Sequence, residues 1–279
     1  MRYLLFSLGG MLLIALTLAA IVYINTNFFI INRVRIFSNK IPQGKTVKIL
    51  QIADMHNRFF DQGNQKLIKR IKQAKPDLIV ITGDFIDART RNLSDALELS
   101  KELAEISQVF FVSGNHEWRN KNRKKFMDAL EERGINILNN QNKVISFGNF
   151  KINLAGVDDF SSRHGDPEKA LSGINKNYFT LLLSHDPMII KKDLSNFDLI
   201  LSGHTHGGQI RVPLVGALIL PGHSSLPEYD RGVFSLPNGG SLYIDSGLGT
   251  SILPIRFWCQ AQISLVTLMG TGTNIDSCD

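Results

Sequence analysis

Cysteine is nearly absent from this chain, with only Cys259 and Cys278 among 279 residues. Two cysteines, one of them in a polar tail, exclude a disulfide framework and leave the redox compartment unread. Internal repeats, low-complexity linkers and a composition break that would mark a second domain are also missing. What remains is one core of ordinary globular make-up, 43% hydrophobic and 20% charged. The net charge of +6 is mild, and the aromatic residues do not interleave with the basic ones. That argues against a nucleic-acid partner. Part of the charge is a run holding Arg119, Lys121, Arg123, Lys124 and Lys125. It reads either as a solvated helix face or as an attraction to a phosphorylated substrate or an anionic lipid surface.

Charge is wholly absent from Tyr3 to Ile24. About 20 apolar residues span a bilayer, so this stretch is long enough. A cleaved signal peptide is the alternative, but Leu18-Ala19-Ala20 makes a poor cleavage site. The expectation is an uncleaved single-pass anchor over residues 1–26, a catalytic domain over 27–269 and a polar, frayed tail over 270–279. Arg33, Arg35 and Lys40 outnumber Arg2 and the amino terminus across the anchor. The positive-inside rule then puts the domain on the cytoplasmic side.

Beyond the anchor, Phe28 to Phe37 alternates Arg33 and Arg35 with Val34 and Ile36, as an edge strand does. Strands are expected at Thr46–Ala53, Leu78–Thr82 and Val109–Val112. Helices are expected at Asn64–Lys75, from Ser94 as cap to Ile106, and at Lys124–Arg133. This alternation predicts a right-handed βαβ build with a largely parallel sheet. Hairpins are expected at Lys143–Gly156, around Gly148-Asn149, and at Gly232–Asp245. Further strands are expected at Tyr178–Ser184, Leu199–Ser202 and Ala261–Leu268.

Metal-ligand residues collect where these strands run out: Asp54, His56, Asp84, Asn115, His185, His204 and His206. His204 and His206 stand two apart in Gly203-His-Thr-His-Gly-Gly-Gln209, so an extended backbone puts both on one face. Singly, each has an ordinary alternative: Asp84 and Asn115 as turn residues, His185 as a core histidine. Five strand-end coincidences together are improbable. The donors are too many for one closed zinc site and suit two metals sharing a carboxylate.

In this combination the sequence resembles the calcineurin-like metallophosphoesterases. The likeness runs through Asp54-x-His56, Gly83-Asp84, Gly114-Asn115-His116-Glu117, His185 and Gly203-His204-x-His206, over roughly residues 46 to 265. It implies a four-layer αββα sandwich, and it implies roles. Asp54, His56 and His206 would hold one metal, Asn115, His185 and His204 the other, with Asp84 between them. His116 would stabilise the phosphoryl oxygens or protonate the leaving group, oriented by Asp87, for which a helix N-terminal acid is the alternative reading. The ions would be divalent, manganese first, with zinc or iron possible.

A narrower likeness is to the membrane-anchored bacterial branch, which includes enzymes similar to UDP-2,3-diacylglucosamine pyrophosphatases of lipid A synthesis. It rests on His204-Thr-His-Gly-Gly-Gln209, Gly156-Val-Asp-Asp159 and Gly247-Leu-Gly-Thr-Ser251 leading to Pro254-Ile-Arg256. Gln260-Ala261-Gln262 departs from it, where that branch usually carries a Pro-Glu pair. A lipid-linked or nucleotide-linked phosphodiester or pyrophosphate is the first expectation for the substrate. A phosphomonoesterase on a soluble or protein phosphate, and a metal-binding scaffold without chemistry, are the alternatives. Ile210–Tyr229 is rich in apolar residues and reads as an acyl-chain wall or as a core strand. Arg163, His164, Arg211 and Arg256 are candidate phosphate contacts. Oligomeric state is not legible.

Overall fold

The computed structural model describes residues 2–192, 194–219, 229–237, 239–251 and 253–271. It begins with helix α1 (Arg2–Asn27), whose stretch Phe6–Asn27 has a mean hydropathy of 2.2 and stands clear of the domain until Thr26, which is buried against it. By length and composition this helix can cross a membrane. Strand β1 (Phe29–Ser38) follows directly, with Val34 and Ile36 turned inward and both arginines outward.

Next come β2 (Thr46–Ile52), α2 (Gln65–Ala74), β3 (Leu78–Thr82), α3 (Ser94–Ile106), β4 (Val109–Val112), α4 (Asn115–Arg119), α5 (Arg123–Glu132) and β5 (Asn136–Ile137). The second half holds β6 (Gln141–Phe147), β7 (Phe150–Gly156), α6 (Pro167–Ala170), β8 (Phe179–Leu183) and β9 (Leu199–Ser202). It continues with β10 (Ile210–Val212), β11 (Gly216–Ile219), β12 (Gly232–Ser235), β13 (Ser241–Ile244) and β14 (Ala261–Gly270).

Two six-stranded sheets form, in the orders β1-β14-β2-β3-β4-β5 and β12-β13-β9-β8-β7-β6. Their inner faces pack together through Val47, Ile49, Val80 and Phe110 on one side and Ile152, Leu181 and Leu201 on the other. The run β2-β3-β4-β5 is parallel, as its βαβ connections require. The returning strand β14 is antiparallel to β2, which makes the sheet mixed.

Helices α2, α3 and α5 cover the first sheet through Leu67, Ile71, Leu103, Phe126 and Leu130. Each such side chain withdrawn from water contributes about 1.5–3 kcal/mol. Over the second sheet the expected helical layer is thin. Ala170 of α6, Ile189 in the 3-10 turn Pro187–Lys191, and the loop residues Phe197 and Leu236 close it instead.

Three local expectations change. Ser94 is not the cap of α3, for Leu93 holds that position without a capping bond, and Asn92 Oδ1 accepts the Ser94 N–H at 3.0 Å. The short strand β5 was not anticipated; two residues are too few to show periodicity. Nor is the apolar run after His206 a core strand: β10 and β11 pair only with each other as a sheet, and Leu214 at their turn is fully exposed. The remainder of that run, residues 220–228, lies outside the described residues, as do Cys278 and most of the polar tail.

Candidate metal centre and active site

The site lies beyond the carboxyl ends of β2, β3, β4, β8 and β9, where the turn after each strand carries one or two of the polar residues. These turns are sharply bent. Asp54, His56, Asp84, His204 and His206 all take positive φ, at 48°, 49°, 50°, 72° and 51°. Left-handed backbone costs a non-glycine residue roughly 1–2 kcal/mol, so five such residues persist only under firm support. Glycines make room between the turns. A Cβ on Gly83 would meet the Gly114 nitrogen and His185 Nδ1 at 2.7 Å, and one on Gly203 would meet Asp54 Oδ2 at 2.6 Å.

Two groups of side chains result. In the first, Asp54 lies with His56 and His206, whose Nε2 atoms are 3.1 Å apart. In the second, His185 Nε2 stands 3.0 Å from His204 Nδ1, 3.2 Å from Asn115 Oδ1 and 3.3 Å from Asp84 Oδ2. The same Asp84 oxygen is 3.7 Å from His56 Nε2, so Asp84 faces both groups. Its other oxygen accepts the His116 N–H at 2.8 Å. Asp54 accepts the His204 N–H at 2.9 Å, which ties the turn after β9 to the turn after β2.

Electrostatics follows from depth. Burial pushes His56 and His204 down to about 4 and holds His206 well below its usual value, so these imidazoles are neutral and offer lone pairs. Burial also drives Asp54 up to about 7, with Asp84 adding to the rise. His185 runs the other way. Burial would lower it, but Asp84 beside it outweighs burial and raises it well above the ordinary value. Asp84 is correspondingly held well below its usual range: burial would raise it, and His185 wins.

The donor set can be tested against a cation directly. His185 Nδ1 lies 3.0 Å from the Thr82 carbonyl and gives a proton there, and the second proton that Asp84 favours on Nε2 is the one a cation would replace, baring the Nε2 lone pair. That lone pair points at a carboxylate oxygen and an amide oxygen. His56 and His206 present the same problem, two facing Nε2 atoms with neither buried Nδ1 hydrogen-bonded, that of His56 lying 3.8 Å from Asp87 Oδ2. Clusters of this kind need positive charge at their centres, and divalent cations supply it with nitrogen and oxygen ligands of this mixture.

Beside the groups, His116 Nδ1 is 3.2 Å from Asp87 Oδ2 and also receives the Ala88 N–H at 3.1 Å. The backbone donor needs a lone pair on Nδ1, which leaves the neutral ring's proton on Nε2. When the ring is protonated, Nδ1–H turns to Asp87 instead.

Two fully buried ionisable side chains support this arrangement, and neither was assigned such a role from the sequence. Glu117 accepts the N–H groups of Asp84, Gly114 and Ile86 at 2.8, 2.8 and 3.0 Å. Burial, then the Asp84 charge, pushes it up to about 8 against the pull of those donors. The signal was its place three residues after Gly114, where an acid reaches back over a helix start. Arg256 is the other. Expected as a substrate contact, it has no exposed surface, and its guanidinium donates to the carbonyls of Ser246, Gly249, His206 and Cys259 at 2.6–3.3 Å. It closes the turn behind His206 and touches no substrate, which corrects that expectation.

The remaining candidate contacts are dispersed. Arg211 Nη1 donates to the Gly207 carbonyl at 2.8 Å and pairs with Asp230 Oδ2 at 2.5 Å. Arg163 is exposed at a turn with φ 64°. His164 stacks on Trp118 with ring centroids 3.3 Å apart, while Arg123 covers the other face at 3.5 Å. Trp118 belongs to α4 with Asn115 and His116, so this three-layer stack borders the site. Of the basic run, then, Arg123 holds an aromatic, and Lys124 pairs with Asp128 at 2.6 Å as a solvated helix face does.

Comparison with known proteins agrees with the geometry. The family described as calcineurin-like phosphoesterase matches residues 47–208, more than half of the chain. The chain belongs to that family. It is 31% identical over 267 residues to an uncharacterised metallophosphoesterase of Aquifex aeolicus, covering 93% of this chain and 99% of that one. It is 31% identical over 242 residues to the metallophosphoesterase YkuE of Bacillus subtilis, covering 84% of each. A bovine relative, 30% identical over 246 residues, is described as a transmembrane protein with a metallophosphoesterase domain; the match covers 81% of this chain and 54% of that one. The chain is thus a metal-dependent phosphoesterase with the α/β sandwich of its family.

Proposed function

We propose that this metallophosphoesterase hydrolyses a phosphodiester or pyrophosphate at a membrane surface, on a lipid-linked or nucleotide-linked substrate. The observation that carries the proposal is the bonding between α1 and the site. Arg58, two residues after His56, donates to the Thr26 carbonyl at 2.7 Å. Arg256, which grips the His206 carbonyl, donates its own N–H to Thr26 Oγ1 at 2.8 Å. A helix of bilayer-spanning length therefore ends against the turns that carry His56 and His206. If α1 is a single-pass anchor, the site works within a few residues of the headgroups and meets lipid substrates without extracting them into water. UDP-2,3-diacylglucosamine is one substrate of this chemistry. The exposed turn Leu214-Val215 supports a bulky apolar substrate.

Within this reading Asp54, His56 and His206 would hold one divalent ion and Asn115, His185 and His204 the second, with Asp84 facing both groups, and manganese is the first ion to try. Two such ions would supply Lewis acidity toward a phosphate and lower the pKa of water held between the groups. The protein's own part is positional. His116 presents Nε2–H to a phosphoryl oxygen or to the leaving group, and Asp87 stabilises the ring when it is charged. The domain faces the cytoplasm in this proposal, because Arg33, Arg35 and Lys40 flank the anchor.

The test is hydrolysis by the detergent-solubilised full chain with manganese, comparing bis-p-nitrophenyl phosphate, p-nitrophenyl phosphate and UDP-2,3-diacylglucosamine, with Asn115→Ala as control. Release of UMP from the lipid nucleotide is the expected result. Turnover of the simple diester alone would sink that substrate, and turnover of the monoester alone would sink the diesterase reading.

A further inference from the structure

Where α1 meets the domain, a cavity of about 410 Å³ opens that has no part in the site described above. Phe28, Phe29 and Phe60 form its apolar side, with Phe29 and Phe60 edge to face at 5.0 Å. Lys66, Lys69 and Arg70 of α2 form its polar side. Helix α2 carries these three and Lys72, and no acidic residue at all. The four basic side chains are exposed, and among the described residues none of them makes an ion pair. A solvated helix face would explain the charges alone. It would not explain their meeting an aromatic-lined hollow at the foot of a long apolar helix.

Position identifies the occupant. The apolar stretch Phe6–Asn27 has 22 residues, which at helical rise makes about 33 Å, close to the ~30 Å of a bilayer's hydrocarbon. Residues 27–29 then stand at headgroup depth, and the cavity beside them faces phosphates. We propose that this cavity binds the phosphate of an anionic membrane phospholipid, with Lys66, Lys69 and Arg70 on the headgroup and the phenylalanines against its glycerol and first methylenes. The inference rests on reading α1 as a membrane anchor. It adds a lipid site separate from the substrate's, which would fix how the domain leans on the bilayer.

The experiment uses the full chain in detergent, titrated with phosphatidylglycerol or phosphatidylcholine and read by native mass spectrometry, beside the double variant Lys69→Gln, Arg70→Gln. Each basic residue at an anionic surface contributes about fivefold in affinity, so the variant should lose roughly 30-fold in phosphatidylglycerol binding. Phosphatidylcholine should not distinguish the two proteins. Turnover of a soluble diester should be equal in both, which shows that the variant folds. Equal phosphatidylglycerol binding by the two proteins would overturn the proposal. So would inorganic phosphate binding as tightly as the lipid in calorimetry, which would make this a free-phosphate site. Carbonate extraction of membranes tests the anchor by itself. Release of the wild-type chain sinks the anchor reading, whereas retention with unchanged lipid binding in the variant sinks the cavity alone.

Discussion

The two halves of the candidate metal centre are supported by side chains of opposite hydrogen-bonding character. Behind Asp84 and Asn115 stands Glu117, an acceptor for three backbone N–H groups. Behind His206 stands Arg256, a donor to four backbone carbonyls. Both side chains are without solvent contact. Turns forced into left-handed backbone leave main-chain groups that no ladder can pair, and a buried group lacking a partner costs about 1–3 kcal/mol. After β3 and β4 the orphans are donors, so an acid fills the gap; after β9, after β13 and before β14 they are carbonyls, so a guanidinium does. The difference extends outward. Glu117 is enclosed within the domain, whereas Arg256 reaches Thr26 and couples its half of the site to the apolar helix.

The largest effects should come from removing either support. Glu117→Gln keeps one acceptor oxygen and turns its amide NH2 toward at least one of the three N–H donors, and Arg256→Met leaves four carbonyls bare. Each should cost on the order of 3–5 kcal/mol in denaturant unfolding, the range for breaking a buried charged network. They should differ in where the damage lands. Hydrogen exchange should rise around Asp84 and Gly114 in the first variant, and around His206, Ser246 and Thr26 in the second. Identical exchange patterns would end the claim of two separate supports.

A third buried charge sharpens the comparison through pH. Asp245 accepts the Gly247 N–H at 2.6 Å beside the Ser246 carbonyl that Arg256 holds. Burial pushes its carboxyl up from 3.8 to about 6. A folded-state value above the unfolded one means that the folded chain binds the proton more tightly. The resulting stability is present below about pH 4 and is lost as pH rises through about 6. Metal-stripped wild type should therefore lose on the order of 3 kcal/mol across this window relative to Asp245→Asn, whose side chain does not titrate. Parallel pH profiles for the two proteins would remove Asp245 from the account.

Much of this centre was legible because ligand chemistry restricts residue type. Histidine, aspartate and asparagine at strand ends, next to glycines, have few other uses in combination, and buried parallel strands announce themselves by unbroken apolar runs. The supports were less legible. Glu117 and Arg256 act on backbone atoms, and backbone atoms have no letter in a sequence. Arg256 looked like a phosphate contact because arginine usually is exposed; only the carbonyls of His206, Ser246, Gly249 and Cys259 closing on its guanidinium reveal a core position. The hairpin β10–β11 misled for the opposite reason, since apolar letters do not distinguish a surface from a core.

Asp87 acts on a side chain of the site rather than on its scaffold. Asp87→Asn should leave stability within about 0.5 kcal/mol of wild type, as a part-exposed loop change does. It should lower kcat roughly 10- to 100-fold, the usual cost of losing a carboxylate that orients a histidine. Unchanged kcat across pH would show that His116 keeps its tautomer through the Ala88 N–H alone.

Arg58→Ala is the mildest test and bears on the outward coupling. Its Nη2 bonds the Thr26 carbonyl and Asn27 Oδ1, at 2.7 and 3.2 Å, so the variant loses one of two ties between α1 and the site. The other tie, Arg256 to Thr26, persists. A half-buried pair of hydrogen bonds to a charged donor contributes about 1 kcal/mol net, so global stability should hardly move. Activity is the informative readout. Turnover of a lipid substrate in bilayers should fall severalfold while turnover of a soluble diester in detergent stays level, because only the first depends on where the helix holds the site. Equal losses on both substrates would mean that Arg58 serves His56 locally and that the half of the centre joined to α1 is no more membrane-dependent than the other.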